Sequence, residues 1–176
     1  MVLSSRLAAV AALVPSGARL ADVGTDHAYL PVSLLLEGRI DHAIAADVRK
    51  GPLDHARRTA EEYGVENQLD FRLCDGLAGI RADECDTIAI AGILSRAEWA
   101  REGKRLILQP QSTQEVLRDF LSRNGWKIFS ESIVREGERW YPVLLAEGGE
   151  MSLLSPGEAM AGRPESWLVQ PERVDY

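Results

Sequence analysis

Residues 20–31 constrain the fold more than any other part of this chain. Apolar residues lead into Asp22, Gly24 follows two positions later, and an amphipathic run begins at Ala28. This order predicts a buried strand, a tight turn and the start of a helix. In doubly wound α/β folds, ligands lie beyond the carboxyl ends of the strands, and glycine at the first turn lets the backbone approach them. The stretch therefore predicts a ligand site. The alternative is that Asp22 is only a turn residue and that Gly24 only allows the chain to bend.

The residues of this turn favour some ligands over others. There is no second and third glycine at dinucleotide spacing, and Asp22 and Asp26 place negative charge where a pyrophosphate would lie. Two carboxylates instead suit a ligand with hydroxyls and a cationic centre, such as S-adenosylmethionine (SAM), because they accept hydrogen bonds and stabilise positive charge.

The rest of the chain alternates strand and helix patterns, which predicts a mostly parallel sheet with right-handed crossovers. Its first helix, with Ser4 or Ser5 as the cap, covers residues 3–14. Strands are expected at 19–23, 40–47, 68–74, 87–91 and 105–108, with helices at 28–37, 52–63 and, weakly, 94–102. A capping box at 112–115 begins a helix whose buried face comprises Val116, Leu117, Phe120 and Leu121. Segments 126–134 and 139–146 then form a hairpin.

The last stretch of the chain differs in character. Residues 151–176 carry Pro156, Pro164 and Pro171, and their apolar residues follow no clear period. We interpret them as an extension that lies on the domain, anchored by Trp167 and Leu168, with a flexible tail as the alternative. The expected domain organisation is therefore a catalytic domain at 1–148 and an extension at 149–176.

Charge and cysteine content narrow the class of protein. Two cysteines without a C-x-x-C pair suit a reducing cytosol and give no metal cluster, so we expect a cytoplasmic protein with no metal. No signal peptide or membrane span is evident at the start of the chain. The net charge of −7 means that a nucleic-acid partner must rely on local basic patches. Two clusters qualify, although an ordinary solvated helix face is the simpler explanation of each: Arg49, Lys50, Arg57 and Arg58; and Arg96, Arg101, Lys104 and Arg105.

Acidic residues follow the first three predicted strands. Asp22 or Asp26, Asp47 and Asp75 hold these positions, and such strand ends lie side by side in a doubly wound sheet. An acidic residue after the second strand is placed to bind ribose hydroxyls, and a carboxylate after the third can accept a bond from an adenine amine. The three carboxylates predict one nucleoside site.

Several segments in this order resemble the TrmK family of bacterial tRNA adenine-N1 methyltransferases: ADVGTDHAYLP, AADVRKGPLDHA, LCDGL, DTIAIAG and LILQPQ, followed by NGW and the hairpin. The resemblance covers roughly residues 3–147 and implies a Rossmann-like class I methyltransferase. Its fold would be a mostly parallel seven-stranded sheet with helices on both faces and a C-terminal β-hairpin. The implied activity is SAM-dependent methylation of adenine N1 in tRNA, and the implied cofactor is SAM.

The resemblance also implies roles for individual residues. The cofactor set would be Asp22, Gly24, Thr25, Asp26, His27, Asp47, Val48, Asp75, Gly76, Ala91 and Gly92. Substrate would contact Tyr29, Gln109, Pro110 and Gln111. Asp26 would stabilise the charge on the product base, Tyr29 would stack on or hydrogen-bond to the flipped base, and His27 is either a proton relay or a structural residue. His42 and His55 are expected to be surface or packing residues.

Two departures from the family bear on activity. Family members continue after the glycine with a Met-Gly-Gly turn and a longer helix, whereas this chain has Ile93-Leu94-Ser95 and a shorter loop. They also carry a helical, coiled-coil-like second domain, for which residues 149–176 show no heptads. A small-molecule methyltransferase, a SAM-binding protein without turnover and a nucleotide-binding regulatory module therefore stay open as alternatives. The oligomeric state is undetermined.

Overall fold

A seven-stranded sheet forms the centre of the described part of the chain. The computed structural model describes residues 1–90 and 98–166. Five parallel strands are followed by an antiparallel pair: β1 (Leu20–Val23), β2 (Ala43–Asp47), β3 (Leu69–Leu73), β4 (Thr87–Ile90), β5 (Arg105–Leu108), β6 (Trp126–Glu136) and β7 (Arg139–Gly148). Their order is β3-β2-β1-β4-β5-β7-β6. This arrangement confirms the predicted fold class and places the topological switch point, where doubly wound folds bind ligands, between β1 and β4.

Helices cover both faces of the sheet. They are α1 (Ser5–Leu13), α2 (Tyr29–Leu36), α3 (Lys50–Tyr63), α4 (Gln114–Arg123) and α5 (Pro156–Ala161), with short 3₁₀ segments at Glu66–Gln68, Glu98–Arg101 and Pro164–Ser166. Ser4 caps α1 as predicted, since its hydroxyl accepts the N–H of Leu7 at 3.4 Å. The second strand begins at Ala43 rather than at residue 40. Of the weakly predicted helix at 94–102, the described part is a 3₁₀ segment.

Alternating strand residues divide the core into two layers. One face of the sheet packs with α1, α2 and α3, through buried residues that include Leu20, Ala45 and Ile107. The other face packs with α4 and with the β3–β4 connection, through residues that include Ile88 and Leu121. β1, β2 and β4 are buried along their whole length, including the carboxylates of Asp22 and Asp47, as expected for parallel strands that are covered on both faces.

The prediction for α4 was wrong in two respects. Thr113 adopts a left-handed backbone with φ of 54°, and its hydroxyl donates to the carbonyl of Ser112 rather than forming a capping box. Val116 and Phe120 are also exposed, at 60% and 37%, respectively. The helix instead buries the side chain of Arg118, because this guanidinium forms an ion pair with Glu131 of β6.

The described part of the C-terminal extension packs against α4 and β6. Arg118 donates to the carbonyls of Ala159 and Met160 at 3.1 and 2.7 Å, and the hydroxyl of Ser166 donates to Glu131 at 2.8 Å. The proposed anchors Trp167 and Leu168 lie outside the described residues. The domain boundary at residue 148 stays a prediction.

Candidate functional site

The turn after β1 is built around a buried carboxylate. Asp22 is 7% exposed, and its Oδ2 accepts a hydrogen bond from the Thr25 hydroxyl at 2.6 Å. Gly24 has a φ of 77°, a conformation that glycine adopts without strain, and its N–H donates to the Ala46 carbonyl at 2.8 Å. The turn therefore stays close to the end of β2 and holds the Asp22 carboxylate in place.

Burial changes the acidity of this group. Desolvation raises the pKa of Asp22 from 3.8 to about 6; the Thr25 hydrogen bond opposes the shift, and the nearby charge of Asp47 adds to it. A buried anion is costly unless a donor or a cation compensates it. Asp22 is therefore placed to bind the cationic or hydrogen-bond-donating part of a ligand.

The next residues expose their side chains at the same edge of the sheet. Asp26 and Ala28 both adopt left-handed backbone conformations, with φ of 48° and 56°. The sharp path that results keeps Ala28 completely buried while the side chains of Asp26 and Tyr29 are exposed. The ring of His27 stacks on that of Tyr29, with centroids 5.1 Å apart and an interplanar angle of 6°.

A cavity of about 440 Å³ lies at this edge of the sheet. Its volume is within the usual range for small-molecule sites. The described residues that line it include many of the predicted site residues: Asp22, Gly24, Thr25, Asp26, His27, Tyr29, Gln109 and Gln111. Gln109 is buried and donates from Nε2 to the carbonyl of Pro110 at 3.0 Å, so the end of β5 forms one wall.

Sequence reasoning missed one wall of this cavity. The N-terminal segment and α1 line it through residues that include Arg6, together with Glu136 from the end of β6. A guanidinium nitrogen of Arg6 donates to Gln109 Oε1 at 3.3 Å, and its Nε lies 3.4 Å from a carboxylate oxygen of Glu136. No local pattern could have identified these contacts, because Arg6 and Gln109 are separated by 103 positions in the sequence.

Four described residues of the predicted cofactor set are not among the lining residues of this cavity: Asp47, Val48, Asp75 and Gly76. Asp47 is buried at the end of β2, where its Oδ1 accepts the N–H of Arg49 at 2.9 Å. Val48 is 62% exposed, and Asp75 is exposed in a turn with Gly76. The end of β3 is next to Asp47, since the N–H of Cys74 donates to the Asp47 carbonyl. Three acidic strand ends are thus neighbours, whereas Ala91 and Gly92 lie outside the described residues.

His55 is exposed at the surface, as predicted, and it also makes a ring contact. This residue of α3 stacks on His27, with ring centroids 4.8 Å apart and an interplanar angle of 9°. It therefore extends the aromatic cluster of the β1 turn. His42 lies elsewhere, exposed and 4.0 Å from an Asp70 oxygen.

A second hollow, of about 480 Å³, lies at the opposite edge of the sheet and includes Asp86, Lys104 and Glu147. The Lys104 ammonium there already donates to the carbonyls of Ala82 and Cys85, at 2.6 and 2.8 Å. Ligands of doubly wound folds bind at the carboxyl edge. The cavity containing Asp22 is therefore the better candidate site.

Comparisons with known proteins agree with this geometry. A family model described as a methyltransferase domain matches residues 3–144. The tRNA (adenine(22)-N(1))-methyltransferase of Bacillus subtilis is 36% identical over 168 residues, which cover 90% of this chain and 71% of that protein. The chain belongs to the tRNA (adenine(22)-N(1))-methyltransferase family.

Solved structures give this family the same fold. Streptococcus pneumoniae Sp1610 in complex with S-adenosyl-L-methionine matches with a TM-score of 0.85 and 38% identity, over 99% of this chain and 86% of that one. The B. subtilis m1A22 tRNA methyltransferase TrmK matches with a TM-score of 0.76 and 32% identity, over 93% of this chain and 79% of that one. As a member of the family, this chain has the α/β architecture predicted from its motifs. Within the described residues, no helix has the length and apolar character needed to span a bilayer.

Proposed function

We propose that this chain is a cytoplasmic enzyme that transfers a methyl group from SAM to N1 of adenine in tRNA. The observation that carries the proposal is the buried Asp22 carboxylate at the carboxyl end of β1, in a cavity that Tyr29, Gln109 and Gln111 also line. The likeness to Sp1610, which was solved with SAM bound, and to the B. subtilis tRNA methyltransferase supports both the cofactor and the substrate.

The described residues suit SAM. The raised pKa of Asp22, about 6, reflects a buried anion that a cationic ligand would stabilise. Nothing lies within 4 Å of the position that a Cβ would take at Gly24, so the backbone is open to a ligand there. Asp47 would accept hydrogen bonds from the ribose hydroxyls, and Asp75 with Gly76 would border the adenine. The other members of the proposed cofactor set are Thr25, Asp26, His27, Val48, Ala91 and Gly92.

The remaining residues would position the base. SAM supplies an electrophilic methyl group on a positively charged sulfur. Adenine N1 carries an available lone pair, so alignment rather than a strong base provides most of the rate enhancement. The exposed Tyr29 ring would stack on the flipped base, with Gln109, Pro110 and Gln111 as the opposite wall. The Asp26 carboxylate would stabilise the positive charge that develops on the base, and His27 would orient this carboxylate from 3.9 Å away.

Calorimetry with SAM tests the cofactor. The Asp47→Asn variant should bind SAM roughly 10- to 100-fold more weakly, since a hydrogen bond to a charged group contributes about 1.5–3 kcal/mol. Asp70→Asn is the matched control, because Asp70 is an exposed carboxylate on β3, paired with Arg72 at 3.2 Å. Equal SAM affinity of the two variants would show that Asp47 does not contact the cofactor. A parent protein that does not bind SAM would favour a nucleotide-binding regulatory module instead.

Nucleoside mass spectrometry tests the substrate. Incubation of the protein with tRNA and SAM should raise 1-methyladenosine, and a tRNA with adenine 22 replaced is the control. A protein that binds SAM but leaves 1-methyladenosine unchanged would instead be a small-molecule methyltransferase or a SAM-binding protein. The net charge of −7 is the specific observation that favours this second candidate.

A further inference from the structure

Three potential metal ligands meet at the mouth of the candidate site. Asp26, His27 and His55 each offer one donor atom, and these atoms lie within 4.8 Å of one another. Nε2 of His27 is 3.9 Å from Oδ1 of Asp26. Asp26 and His55 are exposed and His27 is half-buried, so a dissolved ion can reach all three.

The fold brings these residues together from two separate elements. Asp26 and His27 belong to the turn after β1, whereas His55 lies in the second turn of α3, which begins just beyond the end of β2. Helical side chains lean toward the N-terminus of their helix, so the His55 ring extends toward the carboxyl edge of the sheet. Its stacking on His27 shows that the two imidazoles are in contact when no ion is bound.

We propose that Asp26, His27 and His55 bind a divalent transition-metal ion of the Zn²⁺ class, and that this ion inhibits the enzyme. Two imidazoles and one carboxylate suit Zn²⁺, Co²⁺ or Ni²⁺ better than Mg²⁺ or Ca²⁺, which prefer oxygen ligands throughout. A tetrahedral zinc ion with bonds of about 2.0–2.1 Å needs donor atoms roughly 3.3 Å apart. Rotation of these accessible side chains would bring the donor atoms together and would open the His27–His55 stack, because the nitrogen lone pairs lie in the planes of the rings; water would complete the coordination.

The position of the ion explains the inhibition. Asp26 and His27 also line the cavity proposed for methyl transfer, so an ion bound there competes with the substrate for the same side chains. The expectation of no metal rested on cysteine spacing, and this site contains no thiolate. The inhibition rests on the proposed function, whereas binding of the ion does not.

Zinc calorimetry without SAM or RNA tests the site. The parent protein should bind one Zn²⁺ per chain at these residues, and His55→Ala should bind it at least tenfold more weakly. His42→Ala is the matched control, since His42 is an exposed histidine near a different carboxylate, and its affinity should equal that of the parent. Equal Zn²⁺ affinity in the His55 variant and the parent would overturn the proposal.

Cobalt spectroscopy identifies the ligands independently. A Co²⁺ complex at Asp26, His27 and His55 should show visible bands without the near-ultraviolet charge transfer of a thiolate ligand. Thiolate bands that persist in His55→Ala would assign the ion to Cys74 or Cys85 and would refute the proposed site.

Methylation assays test the inhibition. Zn²⁺ should inhibit 1-methyladenosine formation by the parent and by His42→Ala at the same concentration. Equal inhibition of His55→Ala should require at least tenfold more Zn²⁺. Equal inhibition of all three proteins would overturn the competition. If His55→Ala loses methylation activity without metal but still binds Zn²⁺ like the parent, the His55 imidazole would instead stack on a base of the RNA. If no protein methylates tRNA, the binding experiments still decide the metal site, so the two proposals fail separately.

Discussion

At the scale of single residues, Asp22 has the most informative environment. Its carboxylate is buried at the end of a fully buried strand and keeps one strong hydrogen bond, from Thr25 at 2.6 Å. Desolvation outweighs this bond, and the pKa of Asp22 therefore rises to about 6. The folded protein thus holds a proton on Asp22 more tightly than the unfolded chain does. Stability from this proton is present at low pH and is lost as the pH rises from about 4 to about 6.

The Asp22→Asn variant tests this coupling between protonation of Asp22 and the stability of the fold. Asparagine cannot ionise, so the variant avoids burying a charge at neutral pH. Its free energy of unfolding relative to the parent should rise between about pH 4 and about pH 6, by up to about 3 kcal/mol, and then level off. Urea unfolding across this pH range measures the difference, with Asp70→Asn as an exposed control. A difference independent of pH would contradict the assigned pKa of Asp22.

At the scale of elements, one buried ion pair joins the C-terminal half of the fold. Nε of Arg118 on α4 lies 2.7 Å from Oε2 of Glu131 on β6, and each side chain is 1% exposed. The same two side chains hold the end of α5 and Ser166. The ion pair therefore sets both the face that α4 buries and the path of the extension.

Removal of one partner should be costly. Arg118→Ala leaves Glu131 buried without its cation and should lower the free energy of unfolding by about 3–5 kcal/mol. Arg123→Ala, which breaks an exposed pair with Asp119, should cost less than about 1 kcal/mol. Chemical denaturation measures both.

A double variant covers the case in which Arg118→Ala does not fold. Replacing Arg118 by Met and Glu131 by Leu removes both charges and should recover most of the lost stability. A cost for Arg118→Ala no larger than that for Arg123→Ala would show that the ion pair does not hold these elements together.

At the scale of the whole molecule, the described residues of the two basic clusters lie at opposite edges of the sheet. Lys104 and Arg105 of the second basic cluster lie at the edge opposite the site, where they bind backbone carbonyls and Glu147. Arg96 of that cluster lies outside the described residues. Lys50 and Arg58 of the first cluster are exposed on α3, which begins at the same edge as the site. In a chain with a net charge of −7, the α3 cluster is the better candidate for phosphate contact.

Charge reversal on α3 should therefore weaken tRNA binding. Lys50→Glu combined with Arg58→Glu should reduce affinity at low salt and lower the slope of log K against log salt concentration by roughly 1–2, about 0.9 for each phosphate that is no longer neutralised. Lys127→Glu is the control, because Lys127 lies opposite Glu147 in the β6–β7 hairpin, at the other edge of the sheet. Fluorescence titration over a salt series measures each slope. Equal slopes for all three proteins would exclude α3 from the interface.

Local patterns predicted the strands, the order of motifs and the β1 turn, because these features depend on neighbouring residues. The apolar runs that lead into Asp22 and Asp47 become buried strands in any sheet whose two faces are covered by helices. Gly24 supplies the backbone conformation that the turn requires. The sequence by itself therefore determined the fold class and predicted the edge of the sheet at which the candidate site lies.

Only the tertiary structure decided which distant side chains meet. Burial of Arg118 instead of Val116 depends on Glu131 and α5, and no helical periodicity predicts an ion pair in a core. Likewise, Arg6 reaches Gln109 and His55 reaches His27 because separate elements pack against one sheet. Local propensity reports the conformation of a segment, whereas pairing across the chain depends on the three-dimensional packing of elements that are far apart in sequence.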